Sequence, residues 1–165
     1  AVAQSRLTHN DSIALAACAA LARAVLRVLA GDRPDVVARA AEAAARPHSP
    51  KTADMIARAA REARDGVPPG VTLERLRGFA AHEAIAAAIA IFLHHPDDPR
   101  AALLEGANAS GDSDSLASMA GVLVGARNGL SALPSGWIRD LERSEELLAL
   151  ARALAVRSTG GAESA

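Results

Sequence analysis

Aromatic side chains are nearly missing from this chain: Phe79, Phe92 and Trp137 are the only three in 165 residues. Without large rings a core has to be filled by small residues. Half of the chain is hydrophobic, with alanine supplying much of that share, so closely spaced helices are expected. Alternating β-branched runs are also lacking, which argues against a sheet. Cysteine occurs once, as Cys18, so no internal disulfide can form. In its alanine- and leucine-rich surroundings Cys18 reads as a small buried hydrophobe, and a reducing cytoplasm is the expected compartment.

Charge of one sign is lacking too. With 18 basic and 19 acidic residues the net charge is −1, which provides no long-range field toward nucleic acid or an anionic membrane. Residues 13–30 are apolar enough to suggest a membrane span, but Arg23 and Arg27 interrupt them and both would be costly at mid-bilayer. A buried helix is expected instead. The first residues lack the charged segment, apolar run and cleavage site of a secretory signal. The chain opens on Ala1 within what reads as a continuing segment, so a truncated or processed product is expected. A domain of this length hides roughly 70% of its unfolded surface, enough for a real core.

Start and stop signals divide the chain into helices. Thr8, Asn10 and Asp11 offer N-caps for a helix reaching about Ala30, with Gly31 as its terminator. Further helices are expected from Pro34 to Ala45, from near Thr52 to Arg64 and briefly around Thr72. One runs from Ala80 to His94, and another starts after the Asp98-Pro99 pair and extends through Asn108. A long segment follows the acidic run at 112–115, and a last helix spans Arg143 to Val156. The small polar tail 158–165 is expected to be disordered, leaving 1–157 as the folded part.

The chemistry-bearing feature is the run Asn108-Ala109-Ser110-Gly111-Asp112-Ser113-Asp114-Ser115. Two carboxylates and two hydroxyls within four residues are hard oxygen donors suited to Mg²⁺ or Mn²⁺. In an extended loop, side chains two apart fall on the same side, so Asp112 and Asp114 would converge. A nearby helix dipole compensates only about 0.3–1 kcal/mol per anion, less than a recessed pair of carboxylates requires, whereas a divalent cation would suffice. On an open surface the same Gly-Asp-Ser run is simply a helix start.

From Asn108 to Trp137 the chain carries Gly111-Asp112-Ser113-Asp114-Ser115, then a helix with Ala120-Gly121 and Gly125-Ala126 pairs, then Pro134 and Trp137. With Leu7-Thr8-His9 ahead of a long alanine-rich helix, this pattern resembles the C-terminal signature of the ADP-ribosylglycohydrolases. The resemblance implies an all-α, multi-helix orthogonal bundle. It also implies a binuclear centre, usually Mg²⁺, that cleaves the glycosidic bond at the anomeric carbon of ADP-ribose. Asp112, Asp114 and Ser115 would hold metal, the two aspartates acting in catalysis, while His9 and Gly111 would meet the substrate, an ADP-ribosylated protein or related conjugate. The family's Thr-Asp-Asp motif and early Gly-Asp segment do not occur in these residues, so the chain resembles the C-terminal half of such an enzyme. The expected partner is then the missing N-terminal half, or a second copy, covering apolar faces along Ile13 to Leu29. Half a binuclear site should bind Mg²⁺ weakly and turn over negligibly. Arg127 and Asn128 stand where the family often has aromatics. The competing reading is a non-catalytic helical interaction module derived from that fold.

Three other features read as structural. His94-His95 and Asp97-Asp98 suit the close of one helix and the cap of the next. His82-Glu83 has no third ligand one turn on, and Gly121-x-x-x-Gly125 permits close helix contact.

Overall fold

The computed structural model describes residues 1–160, with side chains described through Ala155. The described residues contain helices and no strands, as the alanine-rich, aromatic-poor composition requires. They divide into two units, one of Ala1–Ala132 and one beginning at Leu133.

The first unit holds α1 (Val2–Ser5), α2 (Ser12–Leu29), α3 (Pro34–Ala45), α4 (Pro50–Arg64), α5 (Pro69–Arg75), α6 (Ala81–His94), α7 (Pro99–Ala107) and α8 (Ser113–Asn128), closed by a 3₁₀ turn over Leu130–Ala132. Helix starts follow side-chain chemistry. The Asp11 carboxylate accepts the N–H groups of Ile13 (2.9 Å) and Ala14 (3.2 Å), the Ser49 hydroxyl accepts that of Thr52 at 3.2 Å, and Asp98 accepts that of Ala101 at 2.9 Å. Proline opens α3, α4, α5 and α7, where its missing N–H costs nothing.

Helix α6 is the centre of the unit. Every residue from Ala84 to Phe92 is buried, and α2, α3, α4, α5, α7 and α8 all pack on it. Alanines let them approach: Ala16, Ala20 and Ala24 of α2 have no exposed surface, nor have Ala41 and Ala45 of α3 or Ala53 and Ala59 of α4. The expected close contact at Gly121-x-x-x-Gly125 is only partly made. A Cβ at Gly121 would stand 2.9 Å from Leu103, but Gly125 faces open space. The tightest approach of α7 to α8 is at Gly106, where a Cβ would lie 2.7 Å from the Ala117 backbone.

Helix α2 is long and apolar enough to cross a membrane, and only one of its faces is buried. Leu15, Ala16, Ala20, Ala24 and Val28 enter the core, while Leu26 and Leu29 stand 59% and 65% exposed. The expectation of an uncovered apolar face thus holds for the end of this helix.

In the second unit α9 (Ser135–Asp140) and α10 (Ser144–Gly160) flank Arg143, whose φ is +57° and whose guanidinium binds Glu146. Helix α10 extends beyond the expected end at Val156. The remainder of the tail expected to be disordered, 161–165, lies outside the described residues.

His82 is buried in the first turn of α6, with Nδ1 lacking a hydrogen-bond partner. Burial, and then the Lys51 charge, push its pKa below 6.5, with Glu83 opposing. A depressed histidine pKa favours the neutral folded form. Its contribution is complete above the unfolded value and is lost as pH falls through the folded one. Urea unfolding should therefore show stability declining below about pH 6.5, and His82→Phe should flatten that decline; an unchanged pH profile in the variant would refute the assignment.

Candidate functional site

The acidic run joins α7 to α8. Past Ala107 the Asn108 side chain donates back to the Leu104 carbonyl at 2.7 Å, closing α7. The chain then presses against the segment ahead of α6. The Asp112 N–H donates to the Arg77 carbonyl at 2.7 Å, and an Arg77 guanidinium nitrogen lies 3.5 Å from the Ser110 carbonyl. A Cβ on Gly111 would stand 1.8 Å from the Arg77 carbonyl oxygen, so no other residue fits there without displacing backbone. Gly78, buried at φ +82°, packs on the same turn, where a Cβ would meet Leu116 at 2.8 Å and Asp112 at 3.5 Å.

The run forms a helix start, one of the two conformations its spacing allowed. Asp112 is the N-cap residue and Ser113 already begins α8, which places Asp114 in the first helical turn. The two carboxyl groups nevertheless line one cavity. Hydrogen bonding from the Asp112 side, reinforced by the backbone at Ser115 and Asp114, holds the Asp114 carboxyl below the usual carboxylate range. Asp112 makes no side-chain capping bond, unlike Asp11 and Asp98, which occupy the same position on α2 and α7. Its carboxylate is left for another cation or donor.

A cleft of about 700 Å³ opens beside this pair, lined by Asp112, Asp114, Ser115 and His9. Four of the five residues singled out from the sequence therefore share one cavity. Gly111, the fifth, does not line it; its observed role is the close approach to Arg77. His9 arrives on the turn after α1, its N–H bonded to the Ser5 carbonyl at 2.8 Å. Its Nδ1 is 2.9 Å from the Thr8 hydroxyl, leaving Nε2 as the ring nitrogen available to a ligand.

Helices α2 and α8 supply the walls. Ala14, Ala17, Cys18 and Leu21 of α2 line the cleft with Ser118 and Met119 of α8. At their far ends Arg127 of α8 donates to the Asp32 carbonyl beyond α2, at 3.3 Å. The two helices therefore run in the same direction, and the cleft sits at their common N-terminal end.

Cys18 is a correction to the sequence reading. It is half-buried in the cleft wall, its thiol 3.5 Å from the Ser5 hydroxyl. Ser5 and Phe79 were not expected at the site. Phe79 stands 71% exposed at the cleft, with the Arg77 guanidinium carbon 5.7 Å from its ring centroid. Position 18 was at least legible from the stripe 14, 17, 18, 21, which is one helix face; Phe79 had no local signal.

Arg127 and Asn128 are structural. Arg127 binds Asp97 at 2.8 Å, and the Asn128 side chain donates to the Pro96 and Val124 carbonyls. Asp98 caps α7 and Asp97 takes Arg127, in keeping with the structural reading of that cluster. His95 lies 3.6 Å from Glu105 in the wall of a larger cavity, about 910 Å³, between α5 and α7. That cavity is lined by Glu74, Glu105 and Arg100 as well as His95, and none of its residues is among the five singled out from the sequence. Among the described residues no third His, Cys, Asp or Glu joins Asp112 and Asp114. The hard-oxygen pair therefore fits part of a divalent-cation shell, with Ser115 beside it.

The ADP-ribosylglycohydrolase family model matches residues 1–163. The chain is 27% identical over 148 residues to ADP-ribosyl-(dinitrogen reductase) glycohydrolase of Rhodospirillum rubrum, covering 88% of this chain and 43% of that protein. It is 34% identical over 94 residues to ADP-ribosylhydrolase ARH3 of Mus musculus, covering 51% of this chain and 25% of that one. The Homo sapiens ADP-ribosylhydrolase ARH3 matches equally, at 34% over 94 residues and 26% of its length. The chain thus spans less than half the length of each of these relatives.

Replacing Gly111 by alanine should lower unfolding stability by about 1–3 kcal/mol, the cost of overpacking against backbone. It should also shift the amide resonances of Asp112 and Ser113, as read by denaturant titration and NMR. A Gly111→Ala protein of unchanged stability and spectrum would contradict the close approach.

Proposed function

The chain belongs to the ADP-ribosylglycohydrolase family, and from that premise we propose that its cleft is the acidic part of a metal-dependent site hydrolysing the glycosidic bond between ADP-ribose and a protein side chain or related conjugate. The observation that carries this reading is the uncapped Asp112 carboxylate lining, with Asp114, the cavity that also receives His9. A Mg²⁺ or Mn²⁺ ion held there would supply Lewis-acid polarisation of the sugar oxygens and a more acidic bound water.

The protein's own groups have separable tasks. Asp112, Asp114 and the Ser115 hydroxyl offer oxygen ligands, and the Asp114 carboxyl, held below the ordinary range, is in its anionic, ligating form at neutral pH. His9 offers Nε2 as a hydrogen-bonding group to ligand. Phe79 offers an exposed ring face, and Arg77 a positive charge suited to a diphosphate. Two carboxylates leave most coordination positions open, so the remaining ligands would come from further polypeptide of a family-length protein, docked as a neighbouring segment or a separate chain. The apolar residues exposed on α2 and α8, Leu26, Leu29 and Val122, suit such a covering segment or self-association. They equally suit the alternative, a non-catalytic interaction module, and metal binding separates the two.

Calorimetric titration with Mg²⁺ should show binding weaker than about 10⁻⁴ M, abolished by Asp114→Asn, and the purified chain should release negligible ADP-ribose from an ADP-ribosylated protein. Failure of Mg²⁺ and Mn²⁺ to bind would favour the interaction module. Turnover by this chain that Asp114→Ala abolishes would show that these residues already form a complete site.

A further inference from the structure

Away from the acidic cleft, α3 and α4 enclose a groove of about 550 Å³ whose charge and shape the hydrolase reading does not use. Its floor is apolar, made by Ala38 of α3, Ala57 and Ala60 of α4, and Leu93 at the end of α6. Its rim carries four guanidiniums, Arg33, Arg39, Arg61 and Arg64, against two carboxylates, Asp35 and Glu42.

Ion pairing within the rim is uneven. Asp35 is shared by Arg33 at 3.3 Å and Arg39 at 2.9 Å. Glu42 is taken at 2.7 Å by Arg46, which lies outside the groove. On the α4 side Arg64 reaches only its sequence neighbour Asp65, at 3.5 Å, and Arg61 has no ion-pair partner among the described residues. The excess positive charge therefore lies along α4, beside an apolar floor. Residues 57, 60, 61 and 64 fall on one helical face, so floor and rim run in parallel for about two turns.

We propose that this groove is a docking site for an amphipathic helix of a partner protein, with apolar side chains against Ala38, Ala60 and Leu93 and carboxylates flanking them against Arg61 and Arg64. An apolar trough fits a helix by its i, i+3, i+4 and i+7 residues, and the one-sided excess of guanidinium selects acidic flanks. A nucleic acid would meet the arginines but leave the apolar floor uncovered, and a basic helix would meet repulsion along α4.

The test uses a labelled 16-residue amphipathic peptide with a leucine face and glutamate flanks, a second peptide with lysine in place of every glutamate, and a single-stranded oligonucleotide. Fluorescence anisotropy should show saturable binding of the acidic peptide, weakening as salt rises and weakened about tenfold or more by Arg61→Glu together with Arg64→Glu. The milder Arg61→Ala should give a smaller loss in the same direction with the helical circular dichroism retained. Mg²⁺ binding at the acidic cleft should be unchanged in these variants. The proposal is overturned if the acidic peptide does not bind, if the lysine peptide binds equally well, if the arginine variants bind unchanged, or if the oligonucleotide binds more tightly than the peptide.

Discussion

The fold positions its chemistry through one close backbone contact, the acidic turn pressed onto the Arg77 carbonyl. A hydrogen bond from the Asp112 N–H is accepted there at 2.7 Å, and the neighbouring Gly111 leaves no room for a side chain. The contact continues as a seam. Gly78 admits Leu116, and Gly106 admits the Ala117 backbone. The turn is thus fastened to the start of α6 and to the α7–α8 pair at once, and α6 is the most buried helix of the unit. A carboxylate pair on a free loop would sample many separations; held to a packed core, its spacing is set before any ligand arrives.

Fastening also decides which electrostatic role the aspartates can take. Three aspartates of this unit stand at helix N-caps, and two of them, Asp11 and Asp98, satisfy backbone N–H groups. Asp112 does not; the turn that carries it is already satisfied through the Arg77 carbonyl and the Gly111 carbonyl that accepts the Ser113 N–H. Its side chain lines the cleft instead, with that of Asp114. Two carboxyl groups lining one cavity at a helix start suit a divalent cation. The same residue type at the same helical position has acquired a different chemistry from its surroundings.

Most of the longer helices were readable in the sequence because caps are local, Asp11, Ser49 and Asp98 acting within three residues and proline opening α3, α4 and α7; the short α1 and α9 were not read, and α5 starts at Pro69, ahead of the expected Thr72. The central place of α6 was readable from its unbroken apolar run. At the site, Asp112, Asp114 and Ser115 were legible as a cluster, and His9 entered through family resemblance, since nothing local ties residue 9 to residue 112. What the sequence concealed depends on tertiary contact. The role of Gly111 needs the Arg77 carbonyl, the exposure of Phe79 needs the turn around Gly78, and the half-burial of Cys18 needs α8 alongside α2. An extended loop was one way to bring the aspartates to one side; in the structure Asp112 stands at the non-helical N-cap and Asp114 in the first turn of α8, and both line the same cavity.

The central claim is that Asp112 and Asp114 form a cation-binding edge in a cleft shared with His9, and paramagnetic line broadening by substoichiometric Mn²⁺ tests it most directly. Amide and side-chain signals of Asp112, Ser113, Asp114 and Ser115 should broaden first, followed by those of His9, Cys18 and Phe79 across the cleft. Broadening that spares the acidic turn, or that centres on Asp97, Asp98 and His95, would contradict the account.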